Sequence, residues 1–492
     1  MLRVRSSGGG SRVTAWEEAL RRWMIFAFSL FLILSLGMQS QFWERGPFAW
    51  GSLHVLPGFG WAARLPVDLG PLSLLPALLA LTWAVSRMVR RDRRRWEWGW
   101  WGITLPLAAL TLFILGSVGG TFLNRIVLAL FLLSLSWFTY LFVGNERPQL
   151  LIPLAIILLL QGSVGVGQFL LQSDLGLYAL EPTLDPRQSG VSVVLAQDHR
   201  WLRAYGLTEH PNSLGVTLSV VILMLLPALR QVTGWRRVGL VGAIVVGFSA
   251  LLVSFSRAAW LGFAVGVLTW FLVQRGERHG QRGRVDIRSL RSILAALLLV
   301  ITVSFLIHYR ALILSRFFEL STYVEAPSIA ERSRDLEIAM RLFMKHPWRG
   351  VGALNYLDAA RAIDPSARIV HNIPLMIMAE LGVLGGLFFL FLSLSPLIQN
   401  VFRREEGARK GFAGEFGARP ERTALAPWLT LFVINLLQPG FGPYSSVPGT
   451  LLFALVAASI AMPATGAEEL KAHSIAHSTP GRECASDSIL HR

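Results

Sequence analysis

Near charge-free apolar runs of about 16 to 25 residues alternate along this chain with short polar connectors, an alternation that a bilayer imposes on a helical protein. The runs predict helices over residues 24–38, 71–85, 99–118, 126–143, 150–171, 214–229, 239–255, 258–274, 293–307, 373–398, 424–437 and 451–462. The expected fold class is an all-α integral membrane protein with about twelve transmembrane helices. Two runs meet at Arg257 almost without interruption, and a different cut between them stays open. The first run follows Arg21, Arg22 and Trp23 as in a signal peptide, but no small-x-small cleavage site follows it, so a retained helix is expected.

The connectors differ in charge. Arg3, Arg5, Arg12, Arg21 and Arg22, then the run from Arg87 to Arg95, then Arg230, Arg236 and Arg237, the 275–291 segment, and Arg403, Arg404, Arg409 and Lys410 all fall on one side of the expected bundle. The positive-inside rule makes that side cytoplasmic and puts both termini there. The expected organisation is a cytoplasmic segment 1–22, a polytopic membrane domain 23–463 and a flexible cytoplasmic tail 464–492. Three loops face outward, 41–70, 172–212 and the largest, 308–372. Within the last, Ser328 and Glu331 have capping-box spacing, and Ile329, Leu336, Ile338, Ala339, Leu342 and Phe343 recur at helical intervals until Pro347, which predicts an amphipathic helix over the bundle mouth.

Composition supports the membrane reading: 53% of residues are hydrophobic and only 15% charged, against about 25% charged in soluble domains. A net charge of +16 raises nucleic acid as a partner, but the basic residues sit at the ends of apolar runs and are not interleaved with stacking aromatics, so no nucleic acid is expected and membrane lipids are. The single cysteine, Cys484, excludes an internal disulfide and a thiolate metal site.

Charged residues are almost absent from the runs, with Glu380 the exception at depth, whereas a secondary transporter usually needs several ionisable groups inside the membrane. Polar chemistry collects instead in four outer-face stretches: "HRWLRAYGLTEHPNSLG", "SFSRAAWLG", "MKHPWRGVGALNY" and "IVHNIPLMIMAELGVLGG". Guanidinium meets phosphate oxygens in a fixed bidentate geometry, and histidine is the side chain suited to take a proton near neutral pH. Elsewhere the bland roles weigh more: Asn212 and Pro211 suit the start of the 214–229 helix, His346 and Pro347 suit the end of the loop helix, and Glu380 suits a buried polar anchor. Asp335 and Glu337, two residues apart on that helix, point in different directions.

In order and position these four stretches resemble the O-antigen ligase and O-antigen polymerase superfamily of bacterial polysaccharide enzymes, over roughly residues 200–395. The resemblance implies a GT-C-like membrane glycosyltransferase, metal-independent and without a cofactor. It would take a glycan from a polyprenyl-diphosphate carrier and pass it to a hydroxyl on a lipid, glycan or protein acceptor, at the outer face of a bacterial inner membrane. It implies Arg203 and Arg257 as grips on the donor diphosphate and His371 as the base, with His210, Asn212, His346, Asn372 and Glu380 as possible support. Arg187 and Arg200 compete with Arg203 for the phosphate role. Two rivals stay open, a transporter or flippase of lipid-linked glycans and a scaffold for envelope assembly.

Overall fold

The computed structural model describes residues 15–37, 74–89, 96–117, 123–177, 184–196, 199–278, 290–318, 325–406, 422–438 and 442–461. The outer loop 41–70, residues 407–421 and the tail with Cys484 lie outside the described residues, as do most of the basic residues from Arg87 to Arg95.

Each of the twelve expected apolar segments is helical. In chain order the helices are α1 Ala15–Gly37, α2 Leu74–Val89, α3 Trp101–Ser117, α4 Leu123–Glu146, α5 Leu151–Leu171, α6 Pro211–Leu225, α7 Gly234–Val253, α8 Arg257–Arg278, α9 Leu290–His308, α10 Arg310–Phe318, α11 Glu325–Lys345, α12 Tyr356–Arg361, α13 Ile373–Glu406, α14 Leu425–Asn435 and α15 Val447–Ala461. Six of these are long and apolar enough to cross a membrane, and α9 with α10 forms a further apolar pair bent by 79°. The remaining apolar helices, α2, α3, α8, α14 and α15, are shorter, which makes this a multi-pass membrane protein of uneven helix length. The expectation of helix alone is corrected at one place: β1 Val193–Ala196 and β2 His199–Leu202 pair as an antiparallel hairpin in the loop before α6.

Small residues let the helices approach. Gly162 and Gly165 of α5 face Gly247 and Ala250 of α7, where an added Cβ on Gly162 would come within 2.8 Å of Val246. Backbones that close gain packing contacts a lipid cannot supply. Thr430 of α14 donates its hydroxyl to the Gly262 carbonyl of α8 at 2.9 Å.

The two ends of the bundle carry different polar devices. At one end the buried Glu146 of α4 accepts from Arg21 Nε of α1 at 2.9 Å and from Trp83 Nε1 of α2 at 2.8 Å, with Arg87 3.8 Å away. At the opposite end Arg125 of α4 holds Asn355 and Asp358, so the 308–372 loop is latched to the bundle. The loop has its own small core, in which Ile338, Ala339 and Leu342 of α11 meet Tyr356, Ala360, Val370, Leu375 and Ala379. The expected amphipathic helix is therefore present, but it starts at Glu325, which puts Ser328 inside the first turn instead of at the cap. Asp335 is buried and Glu337 exposed, as two-residue spacing on a helix requires.

The long helix α13 is broken at Gly382, with φ 70°. The backbone groups freed there pair with the loop that follows α11: Val383 N–H donates to the Pro347 carbonyl at 2.7 Å, Val351 N–H to Ala379 at 2.9 Å and Gly352 N–H to Glu380 at 2.8 Å. Gly350, with φ +64°, faces the break, where a side chain on it or on Gly382 would run into the opposing backbone. Non-helical backbone survives at membrane depth only when protein satisfies it, and this loop does so.

Candidate active site

The segment after β2 carries Arg203 into the bundle. Tyr205 and Gly206 donate their N–H groups to Gln168 Oε1 at 3.0 and 2.8 Å, and Gln168 Nε2 returns a bond to the Gly206 carbonyl at 2.9 Å. Two turns earlier on the same face of α5, Gln161 accepts Leu207 N–H at 2.8 Å and donates to the Leu36 and Gly37 carbonyls of α1. Two neutral amides seven residues apart on α5 thus act as a strand edge for an irregular segment that would otherwise bury unpaired backbone. Gly206 adopts φ +59° there, with Gln161 and Leu214 pressed against the space a side chain would need.

Arg203 is 3% exposed. Its Nε donates to the Ser254 carbonyl at 2.8 Å and Nη2 to Asn212 Oδ1 at 2.8 Å. Ser254 belongs to the break between α7 and α8, where Phe255 takes φ 48° and the chain restarts at Arg257. This is the seam whose cut the sequence leaves open. Arg257 Nη1 donates to the Arg316 carbonyl of α10 at 3.0 Å, and the Ser315 hydroxyl of α10 bonds the Leu195 carbonyl of β1. An aromatic floor of Phe169, Trp201, Phe255 and Tyr309 packs beneath, with ring centroids 5.2 to 6.5 Å apart.

These elements bring cations together. Burial pulls Arg203 down to about 9, and the like charges of Arg257 and Arg332 act in the same direction. Arg332, on α11, is lowered by burial and then by Arg257. Arg203 has no carboxylate partner among the described residues, and Arg332 makes neither a hydrogen bond nor an ion pair there. The site therefore gathers positive charges that repel one another.

His371 stands just before α13. Its Nδ1 is buried and without a hydrogen-bond partner. Burial, followed by Arg332, holds His371 down to about 4, with Asp335 opposing and Arg368 assisting. The expectation that it titrates near neutral pH is corrected: it stays neutral well below that range because burial disfavours the charged ring and, next, because protonation would add a cation beside Arg332. Asn372 caps α13 by accepting Leu375 N–H at 2.9 Å and tethers it to the Leu436 carbonyl after α14 at 3.2 Å.

Other expected residues have different work. His210, not Asn212, caps α6: its Nδ1 accepts Asn212 N–H at 3.1 Å, with Nε2 3.0 Å from the Ser192 hydroxyl. With Nδ1 accepting, the neutral ring carries its proton on Nε2, and burial followed by Arg203 lowers His210 to about 3. Asn212 is thereby freed to hold Arg203. His346 is exposed at the end of α11, where its carbonyl accepts Gly350 N–H at 2.9 Å, and it stands apart from the arginines. Glu380, 3% exposed, accepts from Tyr444 Oη at 2.9 Å and Tyr356 N–H at 3.2 Å, which is an anchoring role. Arg200 is committed to the Pro186 and Gln188 carbonyls of its own loop. Among the described residues no three His, Cys, Asp or Glu side chains come together as a metal-ligating group.

Sequence reasoning missed Arg316, which ends the apolar stretch Arg310–Arg316, and Arg332, which sits in a charge-rich stretch where nothing in the spacing sets it apart. It also missed Gln161 and Gln168; two amides seven residues apart in an apolar run are a signal, but a search for charge passes over them.

The fold is a multi-pass helical bundle in which Arg203, Arg257 and Arg332 come close enough to act on one another's charge, with His371 beside Arg332. Residues 242–390 match the family model described as O-antigen ligase, a region that holds three of the four stretches on which the resemblance rests. The matched region contains Arg257, Arg316, Arg332, His371 and Glu380, while Arg203 and its glutamine cradle lie outside it. It supports a membrane glycan-transferring role in polysaccharide biosynthesis. No curated protein matches the chain.

Proposed function

We propose that the protein is a membrane glycosyltransferase of the O-antigen ligase or polymerase type. It moves a glycan from a polyprenyl-diphosphate carrier to an acceptor hydroxyl, with about twelve spans, both termini in the cytoplasm and the arginine site at the periplasmic face of a bacterial inner membrane. The observation that carries this reading is the arginine cluster. Arg203 and Arg332 lack anionic partners among the described residues, and cations so placed are each other's cost until a polyanion binds.

In the reaction, the acceptor oxygen attacks the anomeric carbon as the bond from that carbon to the diphosphate oxygen breaks. His371 takes the acceptor proton, and the polyprenyl diphosphate leaves with its negative charge held by Arg257, Arg203 and Arg332. One displacement inverts the anomeric centre. The donor's charge also offsets Arg332, which raises the basicity of His371 once the complex has formed. Metal and cofactor have no role in this scheme, because the leaving group is already activated on its lipid.

The test is retention of a labelled polyprenyl-diphosphate glycan by purified protein in vesicles. Arg257→Lys keeps the charge but loses the fork, and Arg332→Gln loses the charge; both proteins should fold, insert and retain the donor weakly. Wild-type retention by both would remove the arginine cluster from donor binding. A flippase would move labelled donor across sealed vesicles without an acceptor, which this account does not expect.

A further inference from the structure

The outer face of α11 has no protein partner among the described residues. Leu336, Met340 and Met344 recur every four residues and are 47%, 47% and 69% exposed, and Trp348 just beyond is 71% exposed. At about 100° per residue these three helical positions fall within an ~80° stripe, opposite the face that carries Ile338, Ala339 and Leu342 into the loop core.

The depth of this stripe can be worked out. The apolar span Ile373–Gln399 has 27 residues. The helix is broken at Gly382, and the residues beyond the break, 383–399, rise about 25 Å at ~1.5 Å per residue. That is less than a hydrocarbon core of about 30 Å, so a span that ends at Gln399 leaves Gly382 ~5 Å inside it. The backbone of Trp348 and Arg349 abuts Gly382, and the Pro347 carbonyl accepts Val383 N–H at 2.7 Å. The end of α11 is therefore pinned at membrane depth. Leu384 and Leu387, just beyond the break on α13, are exposed as well. Arg341, Lys345 and Arg349 are also exposed at this end of α11, Arg341 in an ion pair with the exposed Glu337, and phosphate headgroups would meet them there.

We propose that α11 is an interfacial helix whose Leu336, Met340, Met344 and Trp348 stripe rests in the outer leaflet of a phospholipid bilayer, with the adjacent basic residues on headgroup phosphates. The helix then sets the height of Arg332 and His371 at the membrane surface, where a lipid-borne diphosphate lies. The proposal requires membrane embedding but not the donor assignment, so failure of glycan transfer would leave it untouched.

The experiment uses full-length protein carrying Cys484→Ser, with one new cysteine at Met340, Met344 or, as a control, the exposed Ala362 just after α12. Each is labelled with an environment-sensitive fluorophore and reconstituted in phosphatidylethanolamine and phosphatidylglycerol vesicles. Labels at 340 and 344 should emit to the blue and be quenched by lipids brominated on their acyl chains, while the label at 362 should be quenched by aqueous iodide. Iodide quenching at all three positions would overturn the proposal. So would shielding at 340 and 344 that is lost when protein is diluted into excess lipid, which would make the occupant a second copy. A second arm needs no substitution: native protein in vesicles with diazirine-bearing acyl chains should form lipid adducts on Met344 and Trp348. Adducts on Leu384 and Leu387 without any on α11 would contradict it.

Discussion

Gln168→Met tests whether the site depends on the amide cradle. Methionine keeps the length and burial of the side chain but offers no hydrogen bonds of comparable strength. It leaves the N–H groups of Tyr205 and Gly206 and the Gly206 carbonyl buried without their partner. At about 1–3 kcal/mol for each stranded group the cost is roughly 3–9 kcal/mol, comparable to the whole stability of a typical domain, about 5–15 kcal/mol. A segment can avoid that cost by detaching locally, and residues 203–208 are the ones free to do so. Arg203 would then leave its seat between Ser254 and Asn212. Misplacing a positioning group by about 1 Å can cost on the order of 100-fold in rate, so turnover should fall by at least about tenfold. Hydrogen exchange measured by mass spectrometry should rise over 203–208 and stay unchanged over α13, with little change in membrane insertion. Wild-type turnover together with unchanged exchange over 203–208 would refute the reasoning.

In the proposed reaction His371 acts as the base in its neutral form; burial and Arg332 lower its pKa to about 4 in the free protein, so the competent state is present above that pH and lost below it. The acid limb of kcat/KM should fall near about 4, and that of kcat should lie higher because bound diphosphate favours the protonated ring; a kcat/KM limb near the ordinary histidine value would contradict the placement beside Arg332. For orientation, Gln188→Cys on the exposed outer loop should react with a membrane-impermeant thiol reagent in intact cells while Cys484 does not, and the reverse pattern would invert the topology.

Much of the helical scaffold was readable because a bilayer writes its thickness into apolar run length. The expected helix 150–171 is observed as Leu151–Leu171, and 126–143 is observed as the core of Leu123–Glu146. The misses share a physical origin in tertiary pairing. Residues 373–398 read as one uninterrupted run because the break at Gly382 is satisfied by a loop some thirty residues earlier in the chain, Val383 to Pro347, which no local pattern records. The β1–β2 hairpin has four-residue strands, too short for alternation to stand out. His210 displaced Asn212 as the cap because Arg203 claims the asparagine oxygen, an interaction set by the fold. Arg257 and His371 could be singled out from the outer-face motifs, whereas Arg332 acquires meaning only when α11 folds back over the bundle.

The central claim is that glycan leaves a lipid diphosphate under the control of the arginine cluster and His371. Its most direct measurement follows a labelled glycan from a polyprenyl-diphosphate donor to an acceptor hydroxyl in vesicles containing the wild-type protein or His371→Ala, with donor retention recorded on the same samples. The account predicts transfer by the wild type and, for His371→Ala, donor retained but not transferred, since a base contributes chiefly in the transition state. Transfer by His371→Ala at the wild-type rate would contradict it.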